Sequence, residues 1–292
     1  MNKPPSGLPH ALAAYSIWGL LPLYLRLVRH VPPLEFVGWR VIFTLPVCLA
    51  IIIARRQLAD LVAVLRQPAA MAALLFSALA IGSNWLIYTF AVQTNQIFAA
   101  SLGYYINPLC NVVAGTVFLG ERLTRRQWLA VGIATAGVAL LAWEAVSMLA
   151  ISLSLAISFS AYGLVRKLAP VGALSGLTME TAMLIVPALA VAGWYAASPA
   201  GSALTQDRIT ATVIAFSGVL TAIPLLLFAV AARRMDFSLL GMTQYVSPTI
   251  AFLLGLFVFH EPLRPLQIAC FVATWLAIGL FSAELWRNRS QR

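Results

Sequence analysis

The chain has 292 residues, 61% of them hydrophobic and only 10% charged; a soluble domain carries roughly 25% charged residues, so this one lacks the charge to coat a water-facing surface. Its net charge of +10 sits in short turns between apolar runs rather than in patches interleaved with aromatics, which excludes a nucleic-acid partner and marks the cations as topology determinants. Cys48, Cys110 and Cys270 fall in three separate apolar runs without ligand spacing, so they read as small packing residues, and no metal or other cofactor is expected.

Apolar runs of about 20 residues, the length that crosses a bilayer core as helix, recur from end to end. They predict an all-α membrane protein of ten transmembrane helices, near 9–28, 34–54, 70–92, 97–119, 127–143, 147–167, 173–195, 210–231, 237–259 and 265–286. Met1 to His10 lacks the charged region and small-residue cleavage site of a secretory signal and reads as a short tail. The first helix brings Trp18 and Tyr24. After the Pro32-Pro33 turn, the second carries Arg40 close to Glu35 and Trp39. Arg40 either neutralises a substrate anion or, more blandly, snorkels to the interface or pairs with Glu35. The third helix places Asn84 and Tyr88 on one face beside Trp85, a set suited to an aromatic or amphipathic solute.

The fourth helix carries Tyr104, Asn107, Pro108 and Asn111 on one face, and the ninth the corresponding Gln244, Ser247, Pro248 and Ala251. Polar side chains in lipid are costly and face a cavity or a partner helix, and Pro108 and Pro248 each free a carbonyl beside the stripe. The two readings are a substrate cavity and interhelical hydrogen bonds that only pack helices. Tyr162 in the sixth helix is a further candidate for the pocket. In the seventh, Glu180 lies about 10 Å into its run between Thr178 and Thr181. It is either a proton-coupling carboxylate or a hydrogen-bonded residue near the membrane rim. Glu121 and Glu261 stand at equivalent turns, where helix-end hydrogen bonding is the expected role.

These two glutamates belong to a repeat. Tyr105–Leu141 returns without a gap as Tyr245–Phe281, an offset of 140 residues. The chain therefore divides into two related halves, 1–145 and 146–292, of five helices each. With the N-terminus in the cytoplasm, 14 cations fall in inside segments and four outside, which puts both termini in the cytoplasm. Five crossings per half make the second half inverted relative to the first, the geometry of alternating access in secondary transporters. With no ATP-binding loop in the sequence, coupling to a proton or other ion gradient, or simple facilitated flow, remains. No acid/base or metal constellation supports an enzyme on lipid-linked substrates, and a non-transporting scaffold or sensor is the third reading. A homodimer is left open.

Several segments resemble the RarD group of EamA-type permeases, within the drug/metabolite transporter superfamily. They are Trp18-Gly-Leu-Leu-Pro22, Asn84-Trp-Leu-Ile-Tyr88, Ser101-Leu-Gly-Tyr-Tyr-Ile-Asn-Pro-Leu109, Leu119-Gly-Glu-Arg-Leu123, Tyr162-Gly-Leu-Val-Arg-Lys167, Gly176-Leu-Thr-Met-Glu-Thr181 and Thr221-Ala-Ile-Pro-Leu225. The resemblance spans nearly the whole chain, and the Leu-Gly-Tyr-Tyr-Ile-Asn-Pro run is its most specific element. It implies a bacterial inner-membrane protein of two inverted five-helix units that exports a small metabolite or drug. The second half departs at Gly241-Met-Thr-Gln-Tyr245, where glycine and proline stand further apart than in the first half.

Overall fold

The computed structural model describes residues 6–94, 96–143, 146–260 and 265–290, and these contain helices and turns but no strands. Long apolar helices satisfy every backbone hydrogen bond within the segment, which apolar surroundings require. They are α1 (Leu8–Leu25), α2 (Pro33–Ala54), α3 (Leu58–Leu65), α4 (Pro68–Gln93), α5 (Ile97–Phe118) and α6 (Arg125–Trp143). Then come α7 (Leu149–Leu168), α8 (Ala173–Ala196), α9 (Arg208–Arg234), α10 (Phe237–Gln244), α11 (Val246–Phe257) and α12 (Pro265–Ser290). Local chemistry sets several ends. Asp207 accepts from the Thr210 N–H at 2.8 Å and caps the start of α9. Gly120, at φ 65°, supplies the left-handed residue just beyond the end of α5.

Nine helical stretches among the described residues are long and apolar enough to cross a membrane, from Leu8–Val28 to Pro265–Glu284. The long helix α5 is not among them; it carries Tyr104, Tyr105, Asn107 and Asn111 in one run. Large apolar side chains cover the outside of the bundle, including Phe76, Val117, Trp143, Val186, Trp194 and Ile209. In water such a surface would be an association hazard; against lipid it is the matching solvent.

Every helix expected from the sequence is present within a few residues, with two differences. The span 237–259 is divided at Tyr245 into α10 and α11, with Pro248 in the first turn of α11. The segment between α2 and α4 contains the short helix α3, whose Val64 packs with Leu74, Val171 and Met179. The predicted helices left 55–69 outside any span. Lys3, the Glu261 turn, Arg264 and Arg292 lie outside the described residues.

Corresponding helices open at Leu8 and Leu149, Pro33 and Ala173, Pro68 and Arg208, Ile97 and Phe237, and Arg125 and Pro265, each pair 140 or 141 residues apart. Packing follows the same correspondence. Helix α4 packs on α7 as α9 packs on α1, α5 on α7 as α10 and α11 on α1, and α2 on α8 and α6 on α12 as counterparts. At the α5–α10 crossing, a Cβ on Gly241 would come within 2.7 Å of Asn111 Cβ and the Pro108 carbonyl oxygen. Only glycine permits that approach. The main core lies between α1, α7, α9 and α10, with Tyr15, Tyr162, Phe228, Phe237 and Leu240 fully buried.

Candidate functional site

A cavity of about 510 Å³ lies between α1, α2, α4, α5, α7, α9 and the α10–α11 break. It runs from Tyr15 and Leu225, in the middle of the bundle, to Arg29 and Val31, beyond the C-terminal end of α1. The opposite end is filled by the main core, where the Tyr162 and Phe228 rings stack at 5.9 Å. Ten of the fourteen residues singled out from the sequence line this cavity. They are Trp18, Arg40, Asn84, Trp85, Tyr88, Tyr104, Asn107, Gln244, Ser247 and Pro248.

Its floor is a polar relay between the two halves. Asn111 donates to Gln244 Oε1 at 3.0 Å and to Asn107 Oδ1 at 3.4 Å, while Asn107 donates to the Ala156 carbonyl at 2.6 Å. Asn111 is fully buried beneath the cavity and orients the two amides that line it. The Asn84 amide donates to the Leu155 carbonyl at 2.8 Å and to Ser158 Oγ at 3.0 Å, holding α4 on α7. These amides therefore pack helices and line the cavity at once.

The walls are aromatic. Trp18 stands edge-on to Phe159 at 5.5 Å, and Tyr88 lies 6.4 Å from Tyr104 between ring centroids. The Arg40 guanidinium lies over the Trp85 ring at 4.9 Å, and its Nε donates to Thr221 Oγ1 at 2.9 Å. Pairing of Arg40 with Glu35, one of the alternatives for Arg40, is not made. Glu35 accepts from Ser202 Oγ at 2.5 Å, the Ala203 N–H at 2.9 Å and Trp39 Nε1 at 3.2 Å.

The other four residues lie off the cavity. Asn111 is below the floor. Tyr162 is behind Phe159, which presents its ring to the cavity in its place, and stacks on the buried Phe228. Pro108 lies within α5, which continues through it to Phe118; a single missing N–H does not end the helix. Glu180 is buried in an ion pair with Arg166 at 3.5 Å and accepts from Ser77 Oγ at 2.6 Å. Arg166, read from the sequence as a cation in an inside segment, is fully buried. A Cβ at Gly176 would overlap its guanidinium, so glycine makes the room. Tyr24 donates to the Val213 carbonyl at 2.6 Å. Glu121 accepts from the Phe237 and Ser238 N–H groups at 2.5 and 2.8 Å and caps α10. Tyr15, Phe36, Phe159 and Phe252 line the cavity without having been singled out. Tyr15 stands three positions before Trp18, a spacing that shares a helix face; the phenylalanines carry no polar atom to separate them from core.

The EamA-like transporter family matches residues 5–143. A protein RarD of Salmonella typhi is 40% identical over 93% of this chain and 92% of its own. A protein RarD of Escherichia coli K12 is 39% identical over the same shares. An uncharacterized transporter of Pseudomonas aeruginosa is 37% identical over 95% of this chain and 93% of its own. The chain belongs to the RarD group of the EamA-like transporter family. The fold of this RarD-type chain also recurs in a crystal structure of another protein, at TM-score 0.73 and 22% identity over 95% of this chain and 97% of that one. That likeness concerns the fold alone. The RarD-type chain is thus a multi-pass membrane protein with an aromatic, amide-floored cavity in its centre.

Proposed function

We propose that the chain is a secondary transporter that exports a small amphipathic solute by alternating access across the bacterial inner membrane. The observation that carries this reading is the cavity of about 510 Å³, open at one end of the bundle and closed at the other. Its volume suits a small molecule, and its lining is mostly apolar with a few convergent polar groups, as expected of a binding site. The ten long helical segments then form two five-helix repeats, residues 1–145 and 146–292. Five crossings per repeat invert the second, and the cation bias, 13 to four once the buried Arg166 is set aside, supports cytoplasmic placement of both termini. In that orientation the cavity faces outward. The closed end is then cytoplasmic, fastened by Lys167 Nζ on the Ala232 and Met235 carbonyls at 3.1 and 2.7 Å and by Glu121 on α10. Opening inward breaks these contacts and forms their counterparts at the external end.

Glu180 takes a structural role in this reading, since Arg166 and Ser77 hold it away from the cavity. Reconstituted in liposomes, the protein should move solutes that its host cells lose when the gene is expressed. Trp85→Ala and Tyr88→Ala should each lower that flux about tenfold, the loss expected from one aromatic contact. Flux of no solute in any imposed gradient would end the reading. A pH-gradient response that disappears in Glu180→Gln, with protein amount unchanged, would reassign Glu180 to coupling.

A further inference from the structure

The charges facing the cavity are of one sign. Its described lining contains Arg29 and Arg40 and no aspartate, glutamate, lysine or histidine. A cation in an apolar bundle is normally paired, because an uncompensated charge there is costly. Arg40 has no ion pair among the described residues. Glu35, five positions away, is taken by Ser202, Ala203 and Trp39, and Glu180 by Arg166 and Ser77.

The arrangement around Arg40 also fixes how its charge is presented. Thr221 receives Nε, and the Thr221 hydroxyl is itself directed to the Ser217 carbonyl at 2.8 Å. Trp85 lies against the guanidinium. Neither Nη atom has a hydrogen-bond partner among the described residues, and neither is a buried orphan, so both are open to the cavity. A guanidinium held at Nε with its two Nη groups free is a fork for a planar oxyanion, which it binds through two parallel hydrogen bonds. The hydroxyl-bearing rings of Tyr88 and Tyr104 line the same cavity, with no hydrogen bond from either hydroxyl to the protein among the described residues. Trp18 and Phe159 supply apolar surface deeper in. Arg29, exposed at the mouth, adds positive potential on the way in.

We infer that the transported solute is an organic anion, with a carboxylate or similar planar oxyanion on Arg40 and an aromatic or branched apolar body between Trp18, Trp85 and Tyr88. This rests on the transport reading above and names the substrate class for the same cavity. A cationic solute is disfavoured by Arg40 and Arg29, with no acidic side chain in the described lining to offset them. A neutral isostere leaves the Arg40 charge unpaired.

Three probes with one apolar body separate the possibilities: 1-naphthoate, 1-naphthamide and 1-naphthylmethylammonium, each titrated against the purified full chain while tryptophan fluorescence is followed. The wild type should bind naphthoate at least about tenfold more tightly than the amide, as expected of a bidentate charge-assisted pair. Arg40→Gln should remove that preference, and Arg40→Lys should restore part of it. A wild type that does not discriminate among the three, or that prefers the amide or the cation, overturns the inference. So does an Arg40→Gln variant, folded by its thermal transition, that keeps the preference. Comparing solutes released by cells with and without the protein, fractionated by ion exchange, separates this failure from failure of transport itself. Release confined to neutral or cationic solutes overturns the anion class and leaves transport standing. No release of any solute, with no liposome flux, overturns both.

Discussion

Arg40 and Glu35 share one helix and take different partners. Five positions on an α-helix are roughly 140° apart around its axis, whereas side-chain pairs form at three or four positions. The spacing alone thus argues against the pairing, and Glu35 finds Ser202 and Ala203 far along the chain. That long-range partner is not legible in sequence, and neither is the Arg166–Glu180–Ser77 cluster, whose members come from three helices. The polar stripes of α5 and of the α10–α11 segment were legible, because amides in an apolar run have few places to go. Their division into lining and support was not, since it depends on where Phe159 projects. Removing one partner of a buried ion pair leaves an uncompensated charge, at about 3–5 kcal/mol. Glu180→Gln should therefore lower the thermal midpoint in detergent sharply, and Arg166→Met with Glu180→Met should recover much of the loss. Gly241→Ala forces α5 and α10 apart and should cost about 1–3 kcal/mol by the same measurement.

At the scale of elements, the turn after α5 reaches across to start α10. Glu121 accepts two N–H groups that the first turn of a helix otherwise leaves without partners. Hydrogen bonds to a charged group contribute about 1.5–3 kcal/mol, so Glu121→Ala should destabilise by about that amount, and Glu121→Gln by less. The equivalence of Glu121 with Glu261 pointed to helix-end chemistry; the Glu261 turn lies outside the described residues. The break at Tyr245 was half legible. Pro248 announced a missing hydrogen bond, yet Pro108 at the equivalent position leaves α5 continuous. Proline alone does not decide a break.

Across the whole molecule, the 140-residue offset is the feature that carried furthest, because related sequences pack through related faces. It paired the helices, and the polar stripes whose meeting forms the cavity floor. It did not reveal which end is closed, since a sequence with two related halves is compatible with either state. Lys167 fastens the closed end by joining the ends of α7 and α9. Lys167→Ala should favour opening there. With Cys48, Cys110 and Cys270 replaced by alanine, a cysteine introduced at Ala11 in the closed end should then react faster with a thiol reagent than in the unaltered protein.

The buried pair between α7 and α8 bears on how the chain is made. Taken singly into lipid, an apolar helix carrying an unpaired charge is costly to insert, most of all when the charge lies near its centre; Arg166 stands in the last turn of α7 and Glu180 about two turns into α8. Arg166 and Glu180 lie on consecutive helices joined by a turn at 169–172, and each removes the other's isolation. The pairing therefore favours entry of α7 and α8 into the bilayer together, as a hairpin, over entry of either helix alone.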